Sequence, residues 1–208
     1  MDAPLKKAWM DLADAIARDV RSGVFAPGTW LKQIDLEQRY GYGRSDVRRA
    51  LDYLAQKRLV QHVPNRGHHV FLPDGDQTAH ILELRVILEM AAVDSIVARA
   101  TPAAIERIRD WALQFDEAIL NGTILDQYEA NLAFHRELLG LCSNPELLNL
   151  VTELRGRTSS ALAGQWSTRA RVEQSSREHH AMIEALSDRD GARLKKMIAL
   201  HIRQPQQP

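Results

Sequence analysis

Two arginines four residues apart, Arg44 and Arg48, are the side chains best placed for recognition chemistry in this sequence. On a helix that spacing puts both on one face. Each guanidinium can then donate two parallel hydrogen bonds, to guanine O6 and N7 or to a phosphate. Arg49 follows directly, and Arg66-Gly67 lies further on in a turn, a cation suited to a minor groove or a phosphate beside a glycine that permits close approach. Of the neighbouring His68 and His69, one is expected to face a sheet interior. Between residues 39 and 66, Arg39, Arg44, Arg48, Arg49, Lys57, Arg58 and Arg66 meet only Asp46 and Asp52. Such a basic segment fits a phosphate backbone. A solvated helix face, with Arg44 and Arg48 paired to Asp46 and Asp52, is the other reading of the same charges.

The elements that must position these residues are legible. Leu5, Trp9, Leu12, Ala13, Ile16 and Val20 recur at helical spacing across 5–22 and Gly23 stops the run. Ala26-Pro27-Gly28 is a turn. Ile34, Leu36 and Tyr40 mark a short helix closed by Gly41; Val47, Leu51, Leu54 and Leu59 mark a second, with the arginines mainly off its apolar stripe. Two short helices joined through Gly41-Tyr42-Gly43 predict a helix-turn-helix with the second as reader. The runs 59–63 and 69–72, bent at Pro64-Asn65-Arg66-Gly67, predict a hairpin wing. Pro73-Asp74-Gly75-Asp76 is the expected domain boundary. Beyond it, helical periodicity over 77–99, 102–120, 124–142, 145–164, 168–187 and 189–203 predicts an antiparallel six-helix bundle. Thr101-Pro102 is a start signal, Asp188 is placed as the cap of the last helix, and the tail 204–208 is expected to fray.

The fold class expected is therefore mainly α: a winged helix-turn-helix over 1–75, then an all-helical domain over 76–208. The 208 residues are 45% hydrophobic and 26% charged, with 27 basic and 27 acidic side chains. That excludes a disordered or supercharged chain. The neutrality is uneven: residues 1–75 carry 12 Lys+Arg against 9 Asp+Glu, and the remainder 15 against 18. No apolar run is long enough for a bilayer, and Asp11, Asp14 and Asp19 interrupt what would be a signal peptide. A lone cysteine, Cys142, allows no internal disulfide. A cytoplasmic protein with no membrane partner is expected.

The first seventy residues resemble the winged-helix domain of the GntR family of bacterial transcription regulators. The likeness runs through Ile16, Gly23, Pro27-Gly28, Leu31, Leu36, the Arg44–Leu51 stretch, Leu54, Leu59-Val60, Arg66-Gly67 and Val70. Residues 77–203 resemble the FadR-type ligand-binding domain called FCD, on Leu84-Arg85, Leu88-Glu89, Phe134-His135, Ser143-Asn144, Glu178-His179 and Met197 to His201. Six helices rather than seven resemble its shorter, VanR-like branch. The likeness implies a dimer on a palindromic double-stranded DNA operator, with half-sites about one helical turn apart. It also implies an effector, commonly a small organic acid, in the bundle. The sequence departs from the family at Gly43, where Ser or Thr is usual, at Asp46 and Arg49, and at Arg58, where glycine is common. An operator sequence is therefore not transferable.

Of the eight histidines, three stand where FCD proteins hold a metal. The resemblance places the ligands at Asn131 and His135, one helical turn apart, and at His179 and His201 on the last two helices. Neutral imidazoles suit Zn²⁺, Ni²⁺ or Mn²⁺ and leave positions open for a ligand carboxylate. The family's first ligand is Asp; Asn131 carries no charge, so metal should bind more weakly, or the imidazoles bind an anion directly. His135, His179 and His201 thus serve as candidate effector contacts, joined by Arg85, whose rival role is a pair with Glu89 one turn on. His180, about 100° round the helix from His179, should look elsewhere and lie exposed.

Two rival functions are weighed. A His-cluster hydrolase needs a general base, and Glu137 and Glu178 lack an evident aim; no HExxH, phosphate loop or nucleophile elbow is present. A metabolite sensor or adaptor without DNA binding leaves the basic reader helix unexplained.

Overall fold

Helix α1, Ala3–Arg21, turns Leu12, Ala13, Ile16, Ala17 and Val20 inward, the stripe that the apolar periodicity predicts. These positions belong to a computed structural model that describes residues 3–72, 75–165 and 168–203; the predicted tail 204–208 and part of the predicted 73–76 boundary lie outside the described residues. The chain separates into two compact units, one of Met1–Asp74 with Gly156–Gly164, the other of Gly75–Arg155 with Gln165–Pro208.

In the first unit, α1 packs on α3, Arg44–Gln56, whose Val47, Ala50, Leu51 and Leu54 are buried. Helix α2, Gln33–Tyr40, ends on Gly41 at φ 72°, the left-handed conformation that lets its N–H reach back to Glu37 O. The turn Gly41–Gly43 then launches α3. Gly43 gives that helix no side-chain cap, whereas Asp46 in the first turn complements the positive helix N-terminus. Past the end of α3, Arg58 is held at φ 55°, the conformation a glycine takes without strain.

The wing is a three-stranded antiparallel sheet in the order β1-β3-β2, with β1 at Trp30–Leu31, β2 at Val60–Val63 and β3 at Gly67–Val70. Val60 pairs with Val70 and Val63 with Gly67, as a hairpin requires. The first strand was not predicted. Two residues are too few to show alternation, and β1 forms because the turn at Gly28, φ 80°, returns the chain along β3, where Gly28 and Thr29 exchange backbone bonds with Val70. His68 is the wing histidine that faces inward.

Six more helices follow in the chain, α4 (Gly75–Arg99), α5 (Pro102–Asn121), α6 (Ile124–Gly140), α7 (Pro145–Gln165), α8 (Arg169–Ser187) and α9 (Gly191–Arg203), and they build the second unit except for Gly156–Gly164 of α7. All six fall where helical periodicity predicts them. Most of their starts are fixed by side chains: Thr101 accepts from Ala104 N at 3.2 Å, Thr123 and Asp126 form a reciprocal capping box, and Asn144 Oδ1 accepts from Glu146 N and Leu147 N. The last cap differs from expectation. Asp188 ends α8, and Asp190 Oδ1 accepts from Arg193 N at 2.9 Å to start α9. Helix α5 packs on α6 and α8, and α9 on α4 and α8. Ile96, Ile108, Phe134, Met182, Ile183, Leu186 and Leu194 fill the core between them. No described helix is long and apolar enough to cross a membrane.

Candidate functional site

Arg44 is the first residue of α3 and Arg48 lies one turn on, both exposed. Arg48 is 75% exposed and, among the described residues, its ion pair is with Asp52 at 4.0 Å. Among the described residues no ion pair links Arg44 to Asp46. Arg44 shares a cleft of about 560 Å³ with Trp30, Lys32, Arg66 and Gly67, so the start of the reader helix and the wing turn line one groove. In that turn Gly67 sits at φ 99°, and the Arg66 guanidinium lies 5.0 Å from the Trp30 ring, a cation–π contact that steadies it. Arg49 is exposed but leans back over the Trp9 ring at 5.8 Å, away from the Arg44 and Arg48 face. Asp52 also lies 3.4 Å from buried His68, whose pKa is lowered by burial and by His62.

In the helical unit, α6 supplies Asn131 and His135, α8 supplies His179 and α9 supplies His201. All four are buried, His179 completely. One ring nitrogen from each histidine falls within 4.8 Å of the others, a set that could hold a metal ion. His179 is fixed by Phe134, stacked on it at 4.0 Å, and by Phe115 at 5.1 Å. Burial pushes His135 and His179 well below their ordinary pKa, and the charge of Arg155 adds to it. Burial lowers His201 too, against the hydrogen bond it donates to Glu178, which pulls it up. Near neutral pH the three rings are therefore uncharged and present lone pairs.

The hydrogen bonds fix the tautomers. Burial raises the Glu178 carboxyl, but the bonds from His201 and Arg171 outweigh it and hold the pKa down to about 2. An ionised carboxylate only accepts, so His201 Nδ1 donates to Glu178 Oε2 at 2.7 Å. The neutral ring then has its lone pair on Nε2, and His135 Nε2–H donates to it across 3.0 Å. To present a lone pair to a shared ion, His135 must move that hydrogen to Nδ1.

Asn131 Oδ1, Ser175 Oγ and both ring nitrogens of His179 are buried with no hydrogen-bond partner among the described residues. A buried polar atom left unsatisfied costs about 1–3 kcal/mol. Several of them around a trio of imidazoles fit a metal ion or a polar ligand, which would supply Lewis-acid attraction for a carboxylate or hydrogen bonds directly.

Arg85 is buried and donates to Glu89 at 2.9 Å. Arg155 donates to the same carboxylate at 3.2 and 3.3 Å, so Glu89 lies between two arginines. Burial would raise the Glu89 pKa, yet the arginine charges bring it below the ordinary value; burial pulls Arg155 to about 10. Sequence reasoning missed Arg155 because nothing local joins positions 66 residues apart. Glu178 also escaped it, its partner His201 lying on the next helix. His180 is half-buried rather than exposed: it joins Asp116 at 2.7 Å, with Ser176 on the same carboxylate, and stays out of the trio.

Known proteins bear directly on this pairing of a basic reader helix with a buried imidazole trio. The model for bacterial regulatory proteins of the gntR family matches residues 10–70, and the FCD domain model matches residues 80–204. The chain belongs to the GntR family. As a GntR regulator with an FCD domain, it is 30% identical over 181 residues to the Nta operon transcriptional regulator of Aminobacter aminovorans, covering 86% of this chain and 83% of that one. It is 23% identical to the HTH-type transcriptional repressor RspR of Escherichia coli strain K12, over 91% of this chain and 83% of the relative. The solved structure of E. coli McbR/YncC matches with a TM-score of 0.82 and 20% identity over 94% of this chain and 93% of that one, a likeness of fold. The matched families and relatives are transcription regulators, not enzymes, and the hydrolase reading has no support among them.

Proposed function

We propose that this GntR regulator binds a palindromic operator as a homodimer and that a small carboxylate in the FCD domain changes its DNA affinity. Residues 1–75 are taken as the DNA-binding domain and 76–208 as the effector domain. Arg44 and Arg48 read base edges or phosphates from the start of α3. Arg66 and Gly67 approach from the wing, and Arg49 makes a backbone contact. Two symmetry-related reader helices on one duplex account for operator symmetry.

In the FCD domain, His135, His179 and His201, with Asn131 as a weak fourth donor, hold Zn²⁺, Ni²⁺ or Mn²⁺ in this reading, and the effector carboxylate completes the ion's shell. Arg85 lies beside this site and draws the same carboxylate. The observation that carries the reading is the buried imidazole trio with its unsatisfied polar atoms. Charge supports an anionic effector. Arg85, Arg155 and Arg171 face Glu89 and Glu178 there, and the histidines are neutral. The side chains alone leave one cation in excess, and a divalent ion adds to it, so an anion is favoured there. Coupling requires only that the acid prefer one of two arrangements of the dimer, typically by about 1–3 kcal/mol.

The test is fluorescence anisotropy of labelled intergenic DNA from beside the protein's own gene, at moderate salt, with and without small organic acids and a chelator. Saturable binding shifted about 5–150-fold by one acid supports the proposal. Absence of a bound fragment under all conditions refutes it. A shift that survives chelation replaces the metal with direct imidazole contacts to the acid.

A further inference from the structure

The four candidate ligands of the metal, Asn131, His135, His179 and His201, form a neutral set. Asn131 stands where the family pattern has a carboxylate, and the three imidazoles carry no charge of their own. A divalent ion there has no anion in direct contact from these four side chains. Among the described residues, the carboxylate hydrogen-bonded to the trio is Glu178, whose Oε2 lies 2.7 Å from His201 Nδ1. Glu178 is itself held at three points. Arg171 grips both oxygens, at 3.2 and 3.0 Å, and Gln174 Nε2 reaches Oε1 at 3.2 Å. All three residues lie on α8, at helical spacing, so the carboxylate is fixed before any ion arrives.

We propose that Glu178 is a positioning residue for divalent-metal capture: by accepting from His201 Nδ1–H it aims the Nε2 lone pair of His201 into the trio and returns, one imidazole away, the negative charge that Asn131 lacks. A carboxylate behind a metal-bound imidazole fixes its tautomer and raises its basicity. Here that partner carries more of the site's charge than it does where the first ligand is itself anionic. The inference rests on the reading that the trio holds a metal. The rival role for Glu178 is simply to tie α8 to α9.

Zinc affinity of the full-length protein, measured by competition with a chromophoric chelator at pH 7.5, separates these roles when melting of the metal-free protein is recorded beside it. The variants are Glu178→Gln, Asn131→Asp and the double substitution. Glu178→Gln keeps the shape and an acceptor oxygen but removes the charge. It is expected to weaken zinc by about 10–100-fold while the metal-free protein still folds. Asn131→Asp is expected to tighten zinc, and in its presence Glu178→Gln should cost several-fold less, because the site then has an anion of its own. Should Glu178→Gln melt below the assay temperature, Glu178→Asp replaces it, drawing the carboxylate back from His201 so that it neither holds the ring nor stands as close to the ion; a smaller loss of zinc affinity, made smaller still by Asn131→Asp, is then expected. A Glu178 variant that binds zinc as wild type does, whatever its melting temperature, overturns the proposal. So does an equal loss in both backgrounds, which assigns Glu178 a structural role. A wild-type protein that binds no zinc, nickel or manganese refutes the metal reading itself, and this inference with it.

Discussion

Replacing Arg48 with alanine tests the recognition reading most sharply, because the structure gives this side chain almost nothing else to do. It is 75% exposed, and its partner Asp52, 54% exposed, lies 4.0 Å away. An exposed i,i+4 pair at that distance contributes at most about 0.5 kcal/mol, and an arginine preceding its acid is the weaker order against the helix dipole. Alanine is also a better helix former than most residues. Stability should therefore stay within about 0.5 kcal/mol of wild type. DNA affinity should not. A bidentate guanine contact is worth about 1–3 kcal/mol, and the proposed dimer would lose it at both half-sites, about 2–6 kcal/mol or roughly 30-fold to more than 10⁴-fold in Kd. If Arg48 grips phosphate instead, the loss is similar across sequences and the slope of log K against log salt falls by about 0.9 per contact, near 1.8 for the dimer. Anisotropy titrations between about 50 and 200 mM salt, on operator and scrambled duplexes, distinguish the two. Arg49→Ala is the internal control: its guanidinium rests on Trp9, so it should lose some stability and less affinity. A folded Arg48→Ala protein with unchanged Kd and salt slope refutes the assignment of α3 as the reading element.

Arg58→Gly should stabilise the protein by about 1 kcal/mol, since a residue with a Cβ pays that order of cost at φ 55°; a melting temperature that does not rise shows the strain to be relaxed elsewhere. In the presence of chelator, stability should decline as pH falls below about 6.5, the ordinary histidine value. Burial lowers the folded-state pKa of His135 and His179, so below the ordinary value the unfolded chain binds more protons than the folded one and acid favours unfolding. Urea midpoints flat between pH 7.5 and 5.5 contradict this. His179→Ala should abolish stabilisation by zinc or by an acid effector while leaving DNA affinity of the unliganded protein largely intact; equal loss of both means the residue only holds the bundle together.

The helices were legible from apolar spacing, and in the second unit a start signal often agrees with it. Apolar spacing gives the extent, and Thr101-Pro102 gives a start that the structure confirms as a cap; the caps at Thr123 and Asn144 emerge from the structure. The reading failed where the segment was too short for periodicity or where two start signals competed. Strand β1 is two residues long and owes its pairing to the turn at Gly28. The start of α9 has aspartates at 188 and 190, and only the closed backbone of α8 decides that Asp190 is the cap. For the site, a resemblance placed His135, His179 and His201 in one cluster, and the structure brings their ring nitrogens together. Apart from its place in the family likeness, Glu178 enters the sequence reading only as a general base for the hydrolase alternative, without an evident aim. Adjacent helix positions do diverge, and His180, next to His179, turns away to Asp116. But a glutamate aimed off the centre of the trio can still reach the back of a ring on the adjacent helix, and which helix is adjacent is a property of the packing alone.

The departures from the family pattern show the same logic. Gly43 deprives α3 of a side-chain cap, and Asp46, itself a departure, supplies an anion in the first turn where the helix N-terminus favours one. The acid close to the reader surface therefore answers a local electrostatic need and need not signal a changed operator. Asn131 removes a charge from the buried trio, and Glu178, pinned by Arg171, stands one imidazole away from it. In both cases a missing interaction at one position has a partner within reach that does comparable electrostatic work. Arg58 has none: its left-handed backbone carries no matching glycine or asparagine nearby to take the turn. A strain retained without local compensation is best explained by what the side chain does outside the folded unit, and a cation at the end of the reader helix has duplex DNA as its natural counter-charge. Arg58→Gly should then gain stability and lose DNA affinity together, whereas a gain in stability with affinity unchanged would leave the arginine without a function to justify its cost.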